Sequence, residues 1–252
     1  MKKCMGWIII MCMVSLWGCG GRTDGAGASA SGKMGTGAAM GTGASEEESL
    51  LVSGMDDTMK GLYNVSHGSV LEAADGTPVK VTDLQTGMMV DLTWGGDVME
   101  IYPSLFTYDK LRVTQKKGSR ELELYKQLVR ELAKADPGLN DGITQSFFDL
   151  TGVSSLTEDE KEGLAYIGGG YFGTMGIQMT REELAEQGVL DPVKGIENGI
   201  LITIEETSRD GDRLTCNVEK YRSGTGAYYF HDVKAVYEND RWTYTIGAHM
   251  IS

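Results

Sequence analysis

The spacing of apolar residues changes twice along the chain, and each change limits the folds open to it. Val90, Leu92 and Trp94 alternate with more polar neighbours, as expected of a strand with one buried face. In residues 120–138, "RELELYKQLVRELAKADPG", apolar residues instead recur every three or four positions, which predicts an amphipathic helix. From about residue 199 the alternating pattern returns. The sequence therefore predicts an α+β protein with its helices in the middle.

The last part of the chain contains four alternating runs. They are "GILITIEET", "RLTCNVEKY", "AYYFHDVKAVYE" and "RWTYTIGA", joined by connections short enough for hairpins. Before them, Thr157 with Glu160 and Thr180 with Glu183 have the spacing of capping boxes, and Gly188 suits a helix C-terminus. The predicted fold is a small β-barrel or curled sheet, then a helical segment and a four-stranded antiparallel meander.

The N-terminus carries the pattern of a secretion signal. Lys2 and Lys3 precede an apolar run over residues 5–17, which is shorter than the roughly 20 residues of a membrane-spanning helix. The run ends in "LWGC", which resembles the lipobox of bacterial lipoproteins. The resemblance implies that residues 1–18 are removed and that Cys19 is acylated, anchoring the protein to the extracytoplasmic face of the bacterial cell membrane. The alternative is an ordinary signal peptide with an incidental cysteine.

Residues 19–48 consist largely of Gly, Ala, Ser and Thr without apolar periodicity. Such a composition predicts a flexible tether. Gly27, Gly32 and Lys33 match the spacing of a phosphate-binding loop, but Met34 stands where Ser or Thr would bind magnesium. We interpret this match as coincidental, because no strand pattern precedes it. A fragment beginning near Ser49 is therefore expected to fold alone.

Two domains are predicted beyond the tether, a β domain over residues 49–117 and an α+β domain over residues 118–252. The formal net charge of −13 makes nucleic acid an unfavourable partner. Cys216 alternates with Leu214 and Val218, which predicts a small buried residue rather than a nucleophile.

The β domain also carries a family resemblance. Residues 87–113, "GMMVDLTWGGDVMEIYPSLFTYDKLRV", resemble the YobA-type family of Gram-positive lipoproteins, a domain of unknown function. The resemblance implies a small OB-like β-barrel and brings no known activity. The second half is similar to the C-terminal part of larger lipoproteins from gut clostridia. The positions that carry the resemblance of residues 87–113 to the YobA-type family are Gly87, Val90, Leu92, Trp94, Gly96, Met99, Glu100, Tyr102 and Pro103.

Patterns that would carry chemistry are weak. His67, His231 and His249 lack metal-ligand spacing, so neither a metal nor another cofactor is expected. Residues 168–173, "GGGYFG", fit a dinucleotide fingerprint by spacing but follow a helical pattern, which favours a helix end and loop. An alternative function is a cell-envelope hydrolase that uses a carboxylate pair such as Glu205 and Glu219 on adjacent strands.

The aromatic-rich strand "GAYYFHDV" is the strongest candidate for a binding surface. Because side chains alternate along a strand, Tyr229 and His231 should face away from Phe230, which suits a core. With Arg222 at the adjoining turn, they form a candidate surface of the kind enriched in recognition sites. The sequence thus favours a non-catalytic binding module for an envelope protein, a peptide or a glycan.

Overall fold

The computed structural model describes residues 33–42, 49–56, 59–66, 68, 70–115 and 119–252. Over these residues the protein is a mixed α+β fold with two β-sheets and three α-helices, as predicted. The predicted signal peptide, Cys19 and His67 lie outside the described residues.

The first sheet contains seven strands. They are β1 (Lys33–Thr42), β2 (Ser49–Asp56), β3 (Met59–Ser66), β4 (Val70–Ala73), β5 (Met89–Trp94), β6 (Ser104–Thr107) and β7 (Lys110–Gln115). Their order is β4-β7-β5-β1-β2-β3-β6. Only Tyr108 and Asp109 separate β6 from β7, yet β6 pairs in parallel with β3 while β7 pairs antiparallel with β5. The inner face buries a core that includes Val52, Val90 and Leu111.

The prediction of a flexible tether over residues 19–48 is wrong for residues 33–42. These residues form β1, which pairs antiparallel with β2 on one side and with β5 on the other. A Gly- and Ala-rich segment shows no hydrophobic alternation, so the sequence pattern alone does not mark it as a strand. Its backbone is nevertheless paired on both sides, and neighbouring strands supply the apolar side chains of the core. Lys33 is therefore the first residue of a central strand.

The second half forms an open six-stranded sheet with helices. Its elements are α1 (Arg120–Lys134), β8 (Gln145–Asp149), α2 (Glu158–Tyr171), β9 (Met175–Gln178), α3 (Arg181–Glu186), β10 (Gly199–Asp210), β11 (Arg213–Ser223), β12 (Gly226–Glu238) and β13 (Arg241–Ile251). The strand order is β13-β12-β11-β10-β8-β9. The predicted antiparallel meander, β10 to β13, is confirmed.

The parallel strands β8 and β9 were not predicted. They pair with each other, and β8 also pairs in parallel with β10. Both are short, and β8 buries Phe147 and Phe148 on opposite faces, so it lacks the alternation that marks a half-exposed strand.

The helix boundaries follow the predicted signals. The Thr157 hydroxyl accepts a hydrogen bond from the Glu160 backbone, and Thr180 does the same for Glu183, so both capping boxes are confirmed. Gly188 follows α3 with a φ of +71°, the left-handed conformation expected at a helix C-terminus. Among the described residues, no helix has both the length and the apolar character needed to cross a membrane.

One apolar core connects the two sheets through the helices. Leu51 of β2 and Leu62 of β3 belong to the same buried cluster as Leu164 of α2 and Ile202 of β10. The helix α2 packs both on the first sheet and on strands β8 and β9. Residues 31–252 accordingly form one compact unit.

Candidate functional site

Strand β12 divides its aromatic residues between two environments. Phe230 is 2% exposed in the core beneath the helices, and Trp242 of β13 joins the same core. Tyr229 is half-buried on the opposite face, where burial and the hydrogen-bonded Glu219 raise the pKa of its phenol. His231 is exposed. Tyr229 and His231 thus lie away from the helix-covered core.

Arg222 does not join Tyr229 and His231. Its guanidinium donates hydrogen bonds to the carbonyl oxygens of Leu139 at 3.2 Å, Asp141 at 2.7 Å and Glu197 at 3.4 Å. The sequence analysis placed Arg222 with Tyr229 and His231 because it lies at the adjoining turn. In the structure the strand register shifts between Tyr221 and Ser223, and the Arg222 side chain reaches the turn after α1. Arg222 therefore binds two loops together.

The two carboxylates of the hydrolase alternative lie on one face of the sheet. Glu205 lies opposite Asn217 and Glu219 opposite Thr203, which makes the two glutamates diagonal neighbours. Glu205 is exposed, whereas Glu219 contacts the Arg181 guanidinium at 3.7 Å. Neither residue lines the cavities described below.

A polar cluster that sequence reasoning missed surrounds Glu206. Its carboxylate accepts hydrogen bonds from the backbone and hydroxyl of both Ser154 and Ser155 and from the Tyr125 phenol at 2.6 Å. Burial alone would raise the pKa of Glu206, but these hydrogen bonds outweigh it and hold the pKa below the usual value. Burial raises the pKa of the nearby Cys216 thiol to about 12. The cluster attaches the loop after β8 to β10, and Cys216 is a buried core residue, as predicted.

The topology of the second sheet creates a crevice. After β8 the chain enters α2 on one face of the sheet, and after β9 it enters α3 on the other. Phe148 belongs to the core under α2, whereas the adjacent Phe147 packs with Leu184 of α3. The carboxyl ends of neighbouring parallel strands whose connections leave on opposite faces are the usual place for a ligand crevice.

An open crevice of about 640 Å³ lies at this position. Its lining residues are Tyr102, Phe148, Leu150, Thr151, Glu158, Asp159, Glu162, Ile177, Gln178, Met179, Thr180 and Glu183. Four of them are carboxylates, and none is a lysine or an arginine. The crevice thus combines apolar side chains with an acidic wall.

The loop between β5 and β6, residues 95–103, forms part of this crevice. The Tyr102 hydroxyl donates a hydrogen bond to Glu162 of α2 at 3.0 Å, and its ring meets that of Tyr166 edge-on at 6.1 Å. Burial, reinforced by Glu162, raises the pKa of Tyr102 above its ordinary value. The same loop leaves Met99 56% and Ile101 55% exposed. The first sheet thus adds an aromatic ring to the crevice and exposed apolar side chains nearby.

A larger cleft, of about 880 Å³, lies between the loop after β4 and the N-terminus of α1. Two of its lining residues, Arg120 and Trp242, hold the N-terminus of α1. The Arg120 guanidinium donates to Asp212 at 2.7 Å and lies 4.4 Å from the Tyr237 ring centre. The Trp242 indole donates to the Arg120 carbonyl. This cleft lies away from the carboxyl ends of β8 and β9, the position at which α/β sheets bind ligands.

Among the described residues, no three His, Cys, Asp or Glu side chains converge to hold a metal ion. His249 instead hydrogen-bonds the Tyr228 hydroxyl through Nδ1 at 3.0 Å, and His231 stays at the surface.

No known protein family matches the chain, and no curated protein matches it.

Proposed function

We propose that this protein is a lipid-anchored, extracytoplasmic binding module without catalytic activity. The signal pattern and Cys19 in the "LWGC" motif support the anchor. The crevice between β8 and β9 supports a binding role, because it combines apolar and polar lining at a position where α/β sheets bind ligands. The crevice is the observation on which the proposal depends.

We further propose that the first sheet is OB-like. An OB-fold is a five-stranded barrel in which strands pair around a ring. Here β1 pairs with β2, β2 with β3, and β3 with β6. In the other direction β1 pairs with β5, and β5 pairs with β7. The bend at residues 108–109 would make β6 and β7 two halves of the fifth strand. In OB-folds the loop before that strand contributes to ligand binding, and the corresponding loop here, residues 95–103, supplies Tyr102 to the crevice.

The anchor is tested by replacing Cys19. The variant Cys19→Ala is expected to leave the membrane fraction or to retain its signal peptide. Membrane attachment of a normally processed Cys19→Ala protein would contradict the lipoprotein assignment.

The binding role is tested by recovering partners from solubilised envelope with the detergent-purified protein. Tyr102→Ala, which removes a ring from the crevice, should abolish recovery of the species bound by the wild type. Val193→Ala serves as a control, because Val193 is exposed and lies outside the crevice. A recovered set that is identical for all three proteins would argue against the crevice as the binding site.

A further inference from the structure

The lining of the crevice indicates the chemistry of its ligand, if the proposed binding function holds. Glu158, Asp159 and Glu162 project from the first turns of α2, and Glu183 from α3. Lys161 pairs with Glu158 at 2.8 Å, and the Arg181 guanidinium lies over Tyr221, 4.5 Å from its ring centre. Neither cation lines the crevice. A ligand there meets an excess of negative charge.

Apolar groups accompany this charge. Ile177 and Met179 line the crevice and are half-buried, whereas Phe148 and Leu150 form its floor and are 0% and 1% exposed. On the loop that carries Tyr102, Met99 and Ile101 are each more than half exposed, so that three large apolar side chains lie at the surface within four positions. A small hydrated cation or a polyamine would not cover the exposed side chains of Met99 and Ile101. A ligand that carries both positive charge and apolar groups would contact the acidic lining and the loop beside it together.

We propose that the crevice binds an extended peptide segment in which a lysine or arginine adjoins an apolar residue. The basic side chain would lie against Asp159 and Glu162, where the Tyr102 ring can also receive a cation on its face. The apolar neighbour would cover Met99 and Ile101. Charge complementarity of this kind sets partner choice and association rate. A basic segment of an envelope protein fits this description.

The experiment uses the detergent-purified full-length protein and fluorescence anisotropy of a labelled peptide of alternating lysine and leucine. Binding is expected to weaken by about tenfold in the double variant Asp159→Asn/Glu162→Gln. Met99→Ser/Ile101→Ser should weaken it independently, by about fivefold, through lost apolar contact. The matched control is Glu186→Gln/Glu238→Gln, which removes the same charge at exposed positions outside the crevice and should leave binding unchanged.

Three further probes separate this proposal from its alternatives. A glutamate–leucine peptide should not bind, and spermidine or calcium should not compete at concentrations that leave ionic strength unchanged. Competition by spermidine or calcium would overturn the proposal in favour of a simple cation site. If the control variant bound the peptide as weakly as Asp159→Asn/Glu162→Gln does, net charge alone would explain the loss of binding, and the assignment of the crevice would be wrong. If the lysine–leucine peptide fails to bind while Tyr102→Ala still loses envelope partners, the peptide assignment is wrong and the binding function stands.

Discussion

Lys220 shows how a single residue can join two elements in this fold. It is fully buried, and its ammonium donates hydrogen bonds to the Ala135 carbonyl, to the Asp136 carbonyl at 3.0 Å and to Asn140 Oδ1 at 3.1 Å. These carbonyls end α1, where a cation is favourable. Burial lowers the pKa of Lys220 to about 8, although Asp136 partly opposes the shift.

We predict that Lys220→Met lowers the free energy of unfolding by about 1–3 kcal/mol at pH 7, because it leaves the helix-end carbonyls without their donor. The pH dependence gives a second signature. Between pH 8 and 10.5 the unfolded lysine holds a proton that the folded one has released, so the contribution of Lys220 to stability should rise with pH over this range, while the raised pKa of Cys216 acts in the opposite direction in both proteins. The free energy of unfolding of Lys220→Met, measured by urea denaturation at each pH, should lack this contribution. Parallel pH profiles for both proteins would contradict the assignment.

At the scale of the elements, α2 depends on glycine for its contact with β9. A Cβ on Gly169 would lie 2.1 Å from the Gly176 backbone nitrogen, a clash that only movement of the helix or strand could relieve. Next to it, a Cβ on Gly170 would meet nothing within 4 Å. The sequence "GGGYFG" thus belongs to the last turn of a packed helix, with no role in nucleotide binding required to explain it.

These two glycines give a matched pair of substitutions. Gly169→Ala should lower the melting temperature markedly, because overpacking typically costs about 1–3 kcal/mol. Gly170→Ala should leave stability unchanged or raise it by about 0.5–1 kcal/mol, because alanine favours the helix. Thermal unfolding followed by circular dichroism measures both. Equal melting temperatures for the two variants would mean that α2 does not approach β9 as closely as described.

At the scale of the whole molecule, β1 completes the first sheet and so supports the shared core. A chain that begins at Ser31 should melt at the same temperature as one that begins at Cys19. A chain that begins at Ser49 should melt far lower or aggregate, because its removal of β1 leaves β2 and β5 without their common partner. This reverses the expectation drawn from composition.

Leu51 and Leu62 share a core with α2. Calorimetry of the chain that begins at Ser49 should therefore show a lower melting temperature for the second sheet and its helices as well as for the first sheet. An unchanged transition in the chain beginning at Ser49 would mean that β1 adds nothing to stability. It would also favour the prediction of separate domains at residues 49–117 and 118–252.

The sequence by itself determined the features that depend on neighbours along the chain. The capping pairs at Thr157 and Thr180 fixed where two helices begin, and the alternation in β10 to β13 fixed the meander and the burial of Phe230. These features depend on local hydrogen bonds and on side-chain alternation between residues close together in the chain. They can therefore be predicted from the sequence without knowledge of the fold.

The tertiary structure alone decided the rest. Strand β1 has no apolar alternation, and its conformation depends on pairing with β2 and β5, which follow it at different distances along the chain. The crevice likewise unites Tyr102 with Glu162, which are 60 positions apart. Arg222 is bound by carbonyls of distant loops, which no local pattern announces. Contacts between remote segments depend on topology, and topology follows from how all the strands and helices pack together.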